Sequence, residues 1–148
     1  DFGNNISLCD DPVYTITKLV PYVKSCHMKN MAVQYYTDGF LLAEVPFEAG
    51  FIDIPAMWAI LKKSNPKLLA MHELITRDPL KVPVLTDKYW ITWPDRPAQY
   101  LADTIRLVNA NASKKPLPVV STLSQEDQFQ AEEANNIRCF EWARKTLA

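Results

Sequence analysis

Three short stretches of this 148-residue chain carry side chains that can bind a metal or move a proton. Asp1 stands with Asn4, His27 with Lys29 and Asn30, and Glu73 with Arg77 and Asp78. Carboxylate oxygens and imidazole nitrogens are suited to Mn²⁺, Mg²⁺, Co²⁺ or Zn²⁺. Placed at the ends of adjacent parallel strands, they would face a common centre. A divalent cation there polarises a hydroxyl and a carbonyl together while a carboxylate moves the proton. Plainer readings stand beside these. A single histidine at a strand end is commonly a satisfied structural residue, and terminal residues such as Asp1 are usually loose. Glu73 is the most informative, because a carboxylate in an apolar strand is costly without a partner. His72, its neighbour, faces the other side of the strand and reads as structural, packed under a helix. Tyr35, Tyr36, Tyr89, Trp90 and Trp93 either wall a sugar site or simply pack.

The elements that must position these groups alternate along the chain. Asp11 and Pro12 open a helix with Val13, Ile16 and Val20 on one face. A short strand ends near His27. Residues 31–52 read as an irregular stretch around the Asp38-Gly39 turn signal. Asp53 caps a helix over Ile54 to Lys63 that Asn65-Pro66 stops. The run from Lys67 to Thr76 reads as a buried strand, and Arg77 to Pro94 as a long loop rich in proline and aromatics. Asp95 is expected to cap a helix bearing Leu101, Ile105 and Val108. A Pro-rich connection then leads to Ser124-Gln125-Glu126-Asp127, which resembles a capping box before the last helix. Strands alternating with helices point to a parallel sheet in an α/β fold. The strands are too few to close a barrel, which needs about eight.

Composition narrows the function classes. Hydrophobic residues make up 48% and charged residues 22%, ordinary for a globular chain, and the formal net charge is -1. Without a basic block, nothing advertises a nucleic-acid partner. No apolar run is long enough to cross a bilayer. Three glycines with no GxGxxG or GxxxxGK leave no phosphate cradle. Cys9, Cys26 and Cys139 are odd in number and widely spaced, which fits a reducing, cytoplasmic setting better than a disulfide framework. The first residue is Asp rather than Met, and the start reads as a cut or processed end.

Ordered segments of the chain resemble the sugar phosphate isomerase/epimerase family of xylose-isomerase-like TIM barrels, which also includes endonuclease IV. Asp1-Phe2-Gly3-Asn4 is similar to the family's D-x-G-N or D-x-x-H at the end of strand six. Cys26-His27-Met28-Lys29-Asn30 resembles its H-x-K-D/E at the end of strand seven. The stretch from Glu44 to Asp53 resembles G-x-V-P-x-G-E-G-x-I-D. Met71-His72-Glu73-Leu74 resembles the strand-eight glutamate, and Glu133 to Arg144 the last helix. The resemblance covers essentially the whole chain. It implies the C-terminal portion of a TIM barrel, incomplete in this chain and spanning residues 1–148, from about strand six to strand eight. It further implies a divalent metal (Mn²⁺, Co²⁺, Mg²⁺ or Zn²⁺) on Asp1, His27 and Glu73. Glu73 would also be one of two catalytic carboxylates passing a proton across an enediol of a small sugar. Asn4, Lys29 and Arg77 would contact substrate. The family's other catalytic carboxylate has no candidate here, and Asn30 stands where an acid is common.

The expected activity is therefore that of an isomerase or epimerase in carbohydrate metabolism. The alternatives are a lyase, dehydratase or decarboxylase of oxidised sugar acids on the same site, or an inactive fragment. A repair nuclease is disfavoured, because the 31–52 stretch has no Asp-Arg-His run and the charge is not basic. The expected partner is a small sugar, without nucleic acid or membrane. A fragment of a barrel would also expose apolar surface and tend to pair into a homo-oligomer.

Overall fold

The structure, a computed structural model, describes residues 1–147. Helix α1 (Pro12–Leu19) begins where the sequence supplies its start. The Asp11 side chain accepts a hydrogen bond from the Tyr14 amide at 2.6 Å, and Pro12 occupies a first-turn position where a missing N–H is harmless. Strand β1 (Ser25–Met28) alternates, with Cys26 and Met28 buried and Ser25 and His27 outward. Strands β2 (Asn30–Tyr36) and β3 (Gly39–Val45) form an antiparallel hairpin in which Asn30 faces Val45 and Tyr36 faces Gly39. Helix α2 (Ile54–Ser64) is capped by Asp53, whose carboxylate accepts from the Ala56 amide at 3.0 Å, and it buries Ile54, Met57 and Leu61. Strand β4 (Leu69–His72) returns parallel to β1, placing Ser25 opposite Leu69 and Met28 opposite His72. Strand β5 (Leu80–Val82) then pairs antiparallel with β3. Gly39, at φ 154°, lies against β5 so closely that a Cβ would sit 2.3 Å from the Val82 carbonyl oxygen, and only glycine permits that approach. Three helices complete the chain: α3 (Asp87–Trp90), α4 (Ala98–Asn111) and α5 (Gln125–Thr146).

This architecture overturns the expectation of a partial TIM barrel. The described residues form a small α/β arrangement with a two-stranded parallel sheet (β1-β4) and a separate three-stranded antiparallel sheet (β2-β3-β5), and no barrel closes. The physical reason lies in residues 31–52. Instead of an irregular loop, they contain most of a hairpin whose free edge recruits β5, so the strands after β1 build a second sheet. The expected buried strand from Lys67 to Thr76 is also shorter and more open. Only Leu69–His72 pair as a strand, and Leu69 and Met71 are exposed. Helix α4 starts at Ala98 with Pro97 at its cap and no side-chain cap bond, not at Asp95; Arg96 precedes a proline and is held out of the helical region.

One main core joins the two sheets to the helices. It includes Val33 and Phe40 from the hairpin, Ile54 and Met57 from α2, Val108 from α4 and Cys139 from α5. The three cysteines are buried and unpaired. Burial pushes the Cys26 and Cys139 thiols up, which keeps them protonated and inert. Among the described residues no helix is long and apolar enough to cross a membrane.

Candidate metal centre

The parallel pair of strands brings the candidate ligands together. Alternation along β1 turns His27 outward while Cys26 and Met28 enter the core. The Glu73 amide donates to the Met28 carbonyl at 2.9 Å, continuing the β1–β4 ladder one residue past β4. On the other side of β1, the Phe2 amide donates to the His27 carbonyl at 3.2 Å, which lays Asp1 beside the same strand end. As a result, one ligand atom from each of Asp1, His27 and Glu73 lies within 4.8 Å of the others. His27 Nδ1 directly faces Glu73 Oε2.

Beneath this group lies Lys29, with a side chain only 1% exposed. Its Nζ stands 2.6 Å from Glu73 Oε1, 3.3 Å from Asp1 Oδ2 and 3.4 Å from Glu44 Oε1, and it donates to Asn4 Oδ1 at 3.3 Å. A buried ammonium requires such company, because desolvating an unpaired charge is prohibitive. The Lys29 hydrogen bond is also the largest influence on Glu73. Together with the Lys29 charge and the His27 contact, it outweighs partial burial and holds the Glu73 carboxyl below the usual range. Asp1 Oδ1 accepts from the Gly3 and Asn4 amides at 2.9 and 3.2 Å, which fixes its orientation.

Glu44 is the member of this site that sequence reasoning missed. Its side chain is 2% exposed. Besides facing Lys29, it accepts from the Ile75 amide at 2.7 Å and from Arg77 Nη2 at 3.0 Å. Glu44 therefore clamps the Glu73–Arg77 turn against β3. The signal was available: an acid near the end of the apolar run Phe40-Leu41-Leu42-Ala43, entered through an Asp-Gly turn, marks a buried charge at a hairpin end.

Other candidates serve elsewhere. Arg77 meets the centre only through Glu44. Asp78 accepts from the Val120 and Ser121 amides at 2.7 and 2.9 Å and from the Ser121 hydroxyl at 2.6 Å; these bonds, led by the hydroxyl, lower its carboxyl pKa. It is an anchor for the Pro-rich connection. Asn30 is buried, and its Oδ1 accepts from the Met31 and Ile52 amides, both at 2.8 Å. Its Nδ2 donates to the Phe47 and Ile52 carbonyls at 2.6 and 3.1 Å. Gly50 packs directly on this amide, where a Cβ would lie 2.1 Å from Asn30 Oδ1. Asn30 thus organises the loop over residues 46–52.

His72 sits edge-on to Phe47 and beside Phe140 of α5, each with ring centroids 5.2 Å away. Burial lowers its pKa against the opposing pull of Glu132, which keeps the imidazole neutral in its packed position. Three of the aromatic candidates pack on one another. Tyr89 meets Trp90 edge-to-face and Trp93 at a tilt, and it donates to the Ser7 carbonyl at 2.6 Å, while Trp90 Nε1 donates to the Val84 carbonyl at 2.9 Å. The Tyr35 hydroxyl donates to Asn109 Oδ1 at 2.6 Å, tying β2 to α4.

The donor set fits a divalent cation. Two carboxylates and an imidazole are the hard and borderline ligands that Mn²⁺, Co²⁺, Mg²⁺ and Zn²⁺ accept. Counting side chains, three carboxylates (Asp1, Glu44, Glu73) face two permanent cations (Lys29, Arg77), which leaves the cluster one negative charge in excess. No family model matches the chain, and neither a curated protein nor a solved structure matches it. The likeness to sugar phosphate isomerases therefore rests on the sequence motifs alone.

Proposed function

We propose that Asp1, His27 and Glu73 hold a divalent cation, and that the site serves an isomerase or epimerase acting on a small sugar or sugar derivative. The observation that carries the first part is the convergence of three ligand atoms within 4.8 Å. The reaction class comes from the motif resemblance. When bound, the cation would polarise a carbonyl and a neighbouring hydroxyl of the sugar. The protein's own residues supply the rest. Lys29 keeps Glu73 ionised, and an ionised carboxylate can take a proton from a carbon next to a carbonyl and return it through an enediol. The Glu44 clamp on the Ile75 amide and Arg77 holds the turn that presents Glu73.

The test is calorimetric titration with Mn²⁺ and Co²⁺ of the chain and of His27→Ala, followed by solvent-deuterium exchange into candidate aldoses and ketoses. The expected results are metal binding that His27→Ala weakens by roughly tenfold or more, the loss of one first ligand, and exchange abolished in Glu73→Gln. No metal uptake by the parent chain would overturn the reading. Release of water or CO₂ without exchange would move the site to the lyase class.

A further inference from the structure

The two faces of the β1–β4 pair carry different residues. The outer face bears His27 and Met71, which stand opposite each other, and leads to Glu73; the inner face sets Cys26 opposite Ala70 and Met28 opposite His72. Against the inner face lies a cleft of about 310 Å³. Ala70 and His72 line it from the sheet, Trp58 from α2, and Phe140, Ala143 and Arg144 from α5. It shares no residue with the Asp1–His27–Glu73 centre.

The cleft borders an open strand edge. The Glu73 amide is turned toward β1, where it meets the Met28 carbonyl. Backbone groups alternate sides along a strand, so the N–H and C=O groups of Ala70 and His72 point away from β1. No strand meets them there among the described residues. The two residues that present this hydrogen-bonding edge are thus the two whose side chains line the cleft. Leu69 and Met71, both exposed, make the outer side of the edge apolar as well. Strand edges are ordinarily blunted by a charge, a proline or a bulge, and Leu69–His72 carries no lysine, acid or proline. His72 supplies an independent sign: its Nε2 is buried and has no hydrogen-bond partner among the described residues, a state that calls for one.

We infer that the β4 edge and its cleft take an extended segment of another polypeptide. The segment adds one strand to β4, with a large apolar side chain in the cleft and an acidic residue at its rim. Backbone pairing supplies affinity, and the cleft selects the side chain. The acid follows from charge complementarity. Arg144 lines the cleft without an acidic partner among the described residues, and no aspartate or glutamate lines it. Lys62, 5.3 Å from the centroid of the Trp58 ring, adds a second positive charge nearby. A second copy of this chain fits less well. Its β4 would pair antiparallel with the same face inward, bringing only Ala70 and His72 to the cleft. Ala70 is too small to fill it, and His72 is held beside Phe47 and Phe140.

The probe is a short fluorescein-labelled peptide in which phenylalanine alternates with valine and an aspartate stands at each end. Anisotropy titration should show saturable binding, and hydrogen exchange at the Ala70 and His72 amides should slow in the complex. The same peptide N-methylated at alternate residues cannot complete the ladder and should bind roughly tenfold more weakly. Ala70→Phe fills the cleft from an exposed position of the sheet and should abolish binding with the circular dichroism unchanged. Arg144→Glu should weaken binding by roughly threefold, the size of a surface ion pair, and a peptide with lysine in place of aspartate should restore it. No saturable binding, equal affinity for the N-methylated peptide, or an affinity unmoved by Ala70→Phe would each overturn the inference. So would a dimer in sedimentation that Ala70→Phe dissolves, because it would place a second copy on the edge.

Discussion

Lys29 and Asn30 are consecutive, and both are buried, at 1% and 2% exposure, yet they lead different lives. Asn30 gives each polar atom of its amide two partners: backbone amides for Oδ1 and backbone carbonyls for Nδ2. Nothing in that arrangement can change partner without loss. Lys29 is met by side chains instead, and two of its carboxylate partners, Asp1 and Glu73, reach toward solvent at 19% and 28% exposure. A neutral amide surrounded by backbone fixes a loop. A charge surrounded by ionisable side chains, some of them open to water, leaves a site that can exchange one cation for another.

Substitutions separate the two. Asn30→Ala should have the largest effect on stability, about 3 kcal/mol, because it strands buried amides and carbonyls of the 46–52 loop at once. Chemical denaturation of parent and variant measures it, and a change under 1 kcal/mol would place the loop's support elsewhere. Lys29→Met should cost less, about 1–3 kcal/mol, since water and Arg77 still reach the carboxylates left behind. Its metal affinity should rise as well, because the competing ammonium is gone; unchanged affinity would show that Lys29 does not share ligands with the cation.

The smallest effect is a pH dependence. The Glu73 carboxyl is held below its ordinary range in the folded chain, chiefly by Lys29, whereas unfolded glutamate titrates near about 4.3. The unfolded state therefore takes up its proton first as pH falls. The stabilisation is present above that pH and disappears as pH drops through the lower folded value. Carbon-detected titration of the Glu73 carboxyl should show its midpoint moving upward in Lys29→Met. A midpoint that stays put would sever the Lys29–Glu73 link.

What was legible in the sequence divides along the same line between local and distant partners. The caps at Asp11, Asp53 and Ser124 were readable because each bonds an amide three residues on. Asp1, His27 and Glu73 could be singled out as strand-end polar residues, and Asn4 and Lys29 join them in space. The sheet was not legible. Whether Asp38-Gly39 turns an irregular loop or a hairpin depends on β3 finding β5 some forty residues later. The apolar run after Lys67 suggested a strand covered on both faces, but β4 has a single neighbour, β1, and leaves Leu69 and Met71 exposed. Glu44 escaped notice because its role depends on Arg77 and the Ile75 amide, more than thirty positions away.

Among the described lysines, Lys29 alone is buried. An amine buried this deeply is a poor target for acylating reagents, which need room to approach it. Lys29 should therefore resist chemical acetylation while the lysines around it label quickly. Its slow labelling then becomes a clock for the opening of the centre, readable by mass spectrometry without any substrate in hand.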